Sequence, residues 1–255
     1  MCPAYGRGFA RIGDVAILLP EHPWSLDVYC DLVDDLVAGG RRLGWFSEPP
    51  GESTILLRHD VDLDLDLALG HARVVAERKH FATYYFLLRG AAYNLLDEHG
   101  LDVVTSVRGL GHRVGLHVDA SLYPTTHLRG GVLREISAFE GLFGFAVDSI
   151  SFHRPSVNPV DYDALRIPLP HSYERRFFEE IFYVSDSRGN WNEAALPSSG
   201  SLQLLTHPIW WVGDHQSSSE RLQALLSRRR NSIKEAARAY LSNFDELTGE
   251  SRLAN

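Results

Sequence analysis

The sequence predicts an α/β fold with a parallel sheet that curls into a barrel-like shape wrapped by helices. Short apolar runs alternate with helical patterns from residue 54 onward, and at least six such runs occur. Strands that alternate with helices pair in parallel through right-handed crossovers. An open doubly wound sheet is the alternative arrangement. No GxGxxG or GxxxxGK[ST] motif follows a strand, which argues against a dehydrogenase or a kinase.

The predicted elements follow from the spacing of apolar residues and from the breakers between them. The first helix covers 25–38, where apolar residues recur at helical spacing, and Gly39 and Gly40 end it. Period-2 or continuous apolar runs predict the strands; they are 54–59, 82–88, 113–117, 148–152, 180–185 and 202–207. The helices between and after them are 63–79, 94–107, 132–143 and a long amphipathic helix at 219–244. The stretch 167–178 is either a lid or an ordinary connection.

Length and composition limit the classes of protein. A chain of 255 residues with 44% hydrophobic residues can bury one large core, and we expect a single domain at 51–255, with 1–50 as an N-terminal extension that packs on the barrel. The net charge of −8 argues against a general nucleic-acid binder, and the cluster at 228–230 is interpreted as a solvated face. No secretory core or transmembrane segment is predicted, and two cysteines build no disulfide framework, so a cytoplasmic location is expected.

Polar and ionisable residues stand at the carboxyl ends of five predicted strands. In α/β folds these ends meet at the active site. The sequences at these positions are HDVD (59–62), HVD (117–119), HRP (153–155), SDS (185–187) and THP (206–208). Five such coincidences at one end of a sheet indicate a functional site.

The residue types at these strand ends favour metal-assisted hydrolysis. Imidazole and carboxylate groups hold a divalent metal that polarises a carbonyl and lowers the pKa of a water molecule. Asp60 and Asp62, two residues apart on an extended segment, point the same way, so one could bind metal while the other acts as a base. A histidine could protonate the leaving amine, and a nearby arginine would keep the base ionised. Asp64 and Asp66 are interpreted as an acidic first helical turn.

These motifs, in this order, resemble those of the NodB-like polysaccharide deacetylases (carbohydrate esterase family 4), and in particular a divergent branch found in surface-glycan gene clusters. The resemblance covers roughly residues 55–211 and implies a distorted (β/α) barrel. It implies that Asp60 is the base, that Asp62 and His117 are metal ligands, and that Arg154 pairs with Asp60. It further implies that His207 is the general acid and that Asp186 tunes it, with Trp191 near the acetyl pocket; Trp210 is a further predicted substrate contact.

One position departs from the family pattern. Four residues after His117, where the family has a second histidine, this chain has Ser121. The third metal ligand must then come from elsewhere or the metal is absent. His153 is favoured because it follows a strand end and offers a neutral nitrogen suited to zinc. Asp119 is the alternative, since it lies on the same side as His117.

The resemblance implies removal of an N-acetyl group from an amino sugar with a divalent metal, expected to be zinc, with cobalt or nickel as alternatives. Without a secretory signal, the expected partner is a small-molecule, lipid-linked or nucleotide-linked amino sugar, and no nucleic acid. Two other functions stay open. One is a metal-free, degenerate deacetylase-like domain that binds glycan or scaffolds a biosynthetic complex, and the other is the same fold acting on a non-sugar amide.

Overall fold

A seven-stranded parallel sheet forms the centre of the structure. The computed structural model describes residues 24–156, 160–187, 196–213 and 217–249. The strands are β1 (Arg42–Leu43), β2 (Thr54–Val61), β3 (Thr83–Leu87), β4 (Arg113–Val118), β5 (Ile150–Phe152), β6 (Phe182–Ser185) and β7 (Leu202–Thr206). Their order is β5-β4-β3-β2-β7-β6, and the short β1 pairs with the start of β2. All pairs are parallel, as the alternation of strands and helices predicts.

Eight α-helices accompany the sheet in the described ranges. They are α1 (Leu26–Ala38), α2 (Leu65–Glu77), α3 (Glu98–Gly109), α4 (Leu128–Phe143), α5 (Arg175–Phe178), α6 (Pro208–Trp211), α7 (Ser218–Tyr240) and α8 (Phe244–Thr248). The predicted elements are all present, with ends that lie within four residues of the predicted ones. The largest differences are at the start of α3, the start of α4 and the end of α7. Asp64 accepts a hydrogen bond from the Leu67 amide and begins α2, which confirms its interpretation as part of an acidic helix start.

The sheet is curled, and its interior side is filled by side chains that meet across it. Two strands, β3 and β4, separate β2 from β5, yet Arg58 on β2 donates a hydrogen bond to Ser151 on β5 at 2.5 Å. A flat sheet would hold these strands about 14 Å apart. The predicted barrel-like α/β fold is therefore confirmed, with β5 and β6 as the two ends of the curled sheet.

The segment that was either a lid or a connection is part of the barrel wall. His171 forms a parallel bridge with Ile150 of β5, and the Ser172 amide donates to the Ile150 carbonyl. Gln203 of β7 donates to the carbonyls of Ser172 and Phe177 from inside the barrel. Residues 170–178 thus contact both β5 and β7 and form an anchored connection.

Alternate residues of β2 point to opposite sides of the sheet. Leu56, Arg58 and Asp60 face the barrel interior, whereas His59 faces the helices outside. The His59 ring lies within hydrogen-bonding distance of Thr206 and of Tyr29 on α1. This period-2 alternation follows from strand geometry. The alternation places Asp60, the predicted base, in the interior and packs His59 against α1.

The residue contacts divide the chain into two units, one ending at Val212 and one beginning at Gly213. β1 lies within the predicted N-terminal extension and joins the sheet, and the predicted boundary after residue 50 stays a prediction. The second unit contains α7 and α8. Ser217 and Glu220 form a capping box that begins α7. None of the helices in the described ranges is long and apolar enough to cross a bilayer.

Candidate active site

The ionisable residues predicted from the strand ends converge at the carboxyl end of the sheet. Asp60 is near the end of β2 and Asp62 follows it, His117 is in β4, and His153 follows β5. Asp186 follows β6, and His207 follows β7. Distances of 2.6 to 3.6 Å connect these side chains in one chain of contacts. Parallel pairing brings them together because it aligns the strand ends.

Asp60 is held by an arginine from its own strand. Arg58 Nε donates to Asp60 Oδ1 at 2.9 Å, and Arg58 Nη2 donates to Oδ2 at 2.7 Å. The Arg58 side chain is fully buried, and it also donates to Gln203, Ser151 and Tyr173. A buried carboxylate needs such a bidentate partner to stay ionised. Burial raises the pKa of Asp60, but Arg58, His117 and His207 together outweigh burial and lower that pKa below its usual value.

The predicted pairing of Arg154 with Asp60 is wrong. Arg154 Nη2 donates to Asp119 at 2.9 Å, and its side chain is 55% exposed. Its φ of 47° lies in the left-handed region, which is unusual for a residue with a Cβ. Arg58 occupies the position beside Asp60 because residues two apart on a strand share one side of the sheet. That spacing was visible in the sequence, and sequence reasoning missed it.

Asp62, His117 and His153 form a cluster with the composition of a metal site. Each offers one ligand atom, and these atoms lie within 4.8 Å of one another. His117 Nε2 and His153 Nδ1 both lie 3.2 Å from Asp62 Oδ1. Two ligand atoms of a tetrahedral zinc ion, each about 2.1 Å from it, are roughly 3.4 Å apart. The spacing therefore matches that of a metal-ligand set.

The hydrogen bonding of this cluster also fits a bound cation. Asp62 Oδ1 is buried and accepts no hydrogen bond, although two imidazole nitrogens lie near it. Buried carboxylate oxygens are normally satisfied, so an orphan oxygen between two imidazoles fits a group that a metal would satisfy. Burial raises the pKa of Asp62, and His117 and His153 outweigh burial to hold that pKa well below its usual range.

The other predicted third ligand, Asp119, has different partners. Its Oδ1 accepts hydrogen bonds from the amide and the hydroxyl of Ser121, and its Oδ2 accepts one from Arg154. Ser121 stands where the family pattern has its second histidine, and here it binds Asp119. Both Asp119 oxygens are therefore engaged, whereas His153 Nδ1 faces Asp62.

His207 is positioned by two hydrogen bonds to Asp186, and a third, from Trp211, holds Asp186 itself. Asp186 Oδ1 lies 2.6 Å from His207 Nδ1, and Asp186 Oδ2 accepts from the His207 amide at 2.8 Å. Trp211 Nε1 donates to the same Oδ2 at 2.8 Å. The other ring nitrogen, Nε2, lies 3.6 Å from Asp62 Oδ2. Burial lowers the pKa of His207, but Asp186, with Asp62 and Asp60, raises it to about 9.

Trp211 was not predicted as a site residue, although its indole N–H holds Asp186. The signal available in the sequence was its position four residues after His207, on the helical turn that follows the strand. The predicted substrate contact Trp210 is 8% exposed, and that role stays a prediction. Trp191, the other predicted substrate contact, lies outside the described residues.

Comparison with known proteins gives structural neighbours only. No protein-family model matches the sequence, and no curated protein matches it. Among solved structures, a family 4 carbohydrate esterase from Bacillus anthracis matches at 16% identity and a TM-score of 0.39, over 81% of this chain and 86% of that one. The peptidoglycan N-acetylglucosamine deacetylase Bc1960 matches at 14% identity and a TM-score of 0.40, over 77% of this chain and 90% of that one.

A third neighbour is BA3943, a CE4 family pseudoenzyme from Bacillus anthracis, at 12% identity and a TM-score of 0.38. The match covers 72% of this chain and 62% of that one. Two of these three neighbours are described as family 4 carbohydrate esterases, the family that the sequence motifs resemble. At such TM-scores and identities, the function proposed below rests on the geometry of the site in this chain.

Proposed function

We propose that the chain is a metal-dependent amide hydrolase that removes an N-acetyl group from an amino sugar. The observation that carries this proposal is the convergence of three sets of groups at one end of the sheet. They are an ionised buried aspartate, a cluster of one carboxylate and two imidazoles, and a histidine held by a buried aspartate. A base, a metal-ligand set and an acid are what hydrolysis of an unactivated amide requires.

Asp62, His117 and His153 would hold the metal. A divalent ion bound there would act as a Lewis acid that polarises the acetyl carbonyl and lowers the pKa of the attacking water. Zinc suits the two imidazoles and one carboxylate, and cobalt or nickel would accept the same ligands. His153 replaces the histidine that the family has at the position of Ser121.

Asp60 and His207 would move the protons. Asp60 takes a proton from the water as the water oxygen attacks the carbonyl carbon, and Arg58 keeps Asp60 in the carboxylate form that this step needs. The carbon–nitrogen bond then breaks, and His207 gives a proton from Nε2 to the departing amine. Asp186 accepts from Nδ1, so it orients the ring with Nε2 toward Asp62. The products are acetate and a free amino sugar.

The substrate class is proposed from the sequence. The proposed substrate is a small-molecule, lipid-linked or nucleotide-linked amino sugar in cytoplasmic glycan or natural-product biosynthesis. Trp191 and Trp210 are proposed as contacts for the sugar ring, because aromatic rings stack on the apolar faces of sugars.

Metal content and acetate release together test this function. The purified full-length chain is analysed for metal beside Asp62→Asn, His117→Ala and His153→Ala, with Asp119→Asn as the matched control. We expect close to one zinc or similar ion per chain, lost in the first three variants and kept in the control. Acetate release from N-acetylated amino sugars should then require the metal and Asp60.

Other results would contradict the proposal in distinct ways. Protein that binds no added zinc, cobalt or nickel would favour the metal-free glycan-binding alternative. Metal lost in Asp119→Asn but kept in His153→Ala would replace His153 by Asp119 as the third ligand. A metal-loaded protein that hydrolyses formamides or cyclic ureides, and no acetylated sugar, would favour the non-sugar amide.

A further inference from the structure

An exposed apolar stripe runs along α7. Leu222, Leu226, Ile233 and Tyr240 have exposed fractions of 38%, 66%, 69% and 90%. Their spacings of four, seven and seven residues place them within an arc of roughly 40° on the helix surface. Large apolar residues that recur on one exposed face of a helix mark an interaction surface, in contrast to single scattered ones. We name these four residues the α7 stripe.

The same helix is strongly basic, in a chain whose net charge is −8. Six of its side chains are Arg or Lys, and two are Glu. Along the helix, Arg229 falls between Leu226 and Ile233 of the stripe. Around the helix, Arg230 and Lys234 lie on one flank within roughly 100° of the centre of the stripe. The helix therefore joins apolar residues and cations on one side.

We propose that α7 binds the surface of an anionic lipid bilayer, lying in the plane of that surface with the α7 stripe inserted among the headgroups. Interfacial helices combine apolar residues with flanking Arg and Lys in this way. With 23 residues, α7 is roughly 35 Å long, enough to lie along a bilayer with three turns in contact. This inference does not depend on the proposed hydrolase function.

Charge complementarity favours a lipid surface over a second copy of the chain. Arg228, Arg229 and Arg230 lie at the middle of α7, so an antiparallel pair of these helices would bring two arginine clusters together. Like charges at short range oppose association. Anionic headgroups instead complement the cations, and the acyl region accepts the stripe.

Co-sedimentation of the full-length chain with vesicles tests this proposal. We expect binding to vesicles that contain phosphatidylglycerol, little binding to pure phosphatidylcholine, and weaker binding as salt is added. The double variants Leu226→Glu/Ile233→Glu and Arg229→Gln/Arg230→Gln should each bind more than about tenfold more weakly. The matched control is Leu142→Glu, an exposed leucine on α4, which should bind like the unchanged chain.

Circular dichroism would establish that each variant retains its helix content. Three results would each overturn the proposal. The first is that the unchanged chain does not bind anionic vesicles at low salt, and the second is that the double variants bind as well as Leu142→Glu. The third is self-association, detected by light scattering without lipid and abolished by Leu226→Glu/Ile233→Glu, which would assign the stripe to a second copy. Since acetate release needs no vesicles, a failure here leaves the proposed hydrolase unaffected.

Discussion

Arg58 and Asp60, two residues apart on one strand, form a buried bidentate ion pair at the carboxyl end of the sheet. The strand holds both backbones rigidly, so the fork of the guanidinium meets both carboxylate oxygens. The pair lies inside a barrel wall to which Ser151, Tyr173 and Gln203 each contribute one contact. The position of Asp60, the proposed base, thus depends on the strand that carries it and on three other parts of the wall.

Replacing each arginine by lysine should separate the roles of Arg58 and Arg154. Arg58→Lys keeps a positive charge but loses the two parallel hydrogen bonds, so we expect acetate release to fall by about a hundredfold or more. Arg154→Lys alters only the exposed contact with Asp119, and we expect a loss of less than about tenfold. The measurement is kcat on an acetylated sugar with metal content matched between the variants. A larger loss for Arg154→Lys would restore the role first predicted for that residue.

The ion pair should also be visible in stability. Arg58→Met leaves the Asp60 carboxylate buried without a partner and should lower the free energy of unfolding by about 3–5 kcal/mol. Arg58→Met/Asp60→Leu removes both charges and should recover most of that loss. Denaturant unfolding of the two variants gives the comparison. A control is Arg78→Met, which breaks exposed ion pairs with Asp27, Asp31 and Asp34 and should cost far less. No recovery in the double variant would mean that Arg58 stabilises the fold through its other contacts.

Trp211 should contribute to stability through Asp186. Trp211→Phe removes the indole N–H and leaves Asp186 Oδ2 with one donor fewer, so we expect a loss of about 1–3 kcal/mol beyond that of the smaller ring. Trp210→Phe is the matched control, since it makes the same change of ring one residue earlier in the same buried turn. Thermal or denaturant unfolding measures both. Equal losses in the two variants would show that the Trp211 hydrogen bond adds nothing.

Buried histidines outside the active site should make the fold sensitive to acid. His71 lies against Tyr84, His59 and Tyr29, with His112 nearby, and burial followed by His112 lowers the pKa of His71 to about 3. Its pKa in the unfolded chain is about 6.5. Because the native pKa is lowered, neutral His71 contributes stability that is fully present above about pH 6.5 and is lost as the pH falls toward 3. The free energy of unfolding then decreases by about 1.4 kcal/mol per pH unit for one proton.

The histidine prediction is tested by the slope of unfolding free energy against pH. Between about pH 6 and pH 5, His71→Gln should unfold with a slope smaller by roughly one proton than the unchanged chain. His99→Gln, which alters an exposed contact with Asp66, is the control and should keep the original slope. Parallel slopes for His71→Gln and the unchanged chain would show that His71 is charged in the fold or is replaced by other titrating groups.

The sequence was sufficient to predict the strands, their parallel pairing and the end of the sheet where the site lies. The alternation of apolar runs and helical patterns determines these features locally. The partner of Asp60 was missed, although the two-residue spacing that places Arg58 beside Asp60 on one side of the strand is visible in the sequence. The proposed choice of His153 over Asp119, by contrast, depends on contacts of Ser121 and Arg154 that the chain order does not reveal.

The three hydrogen bonds that Asp186 accepts have a consequence for how the proposed proton donor works. Two of them come from His207 and one from Trp211, so a single carboxylate ties the end of β7 to the turn of α6. The imidazole cannot rotate away without breaking contacts at both its ring and its backbone. Its orientation is therefore preorganised during folding, and little reorganisation energy remains to be supplied when a substrate arrives.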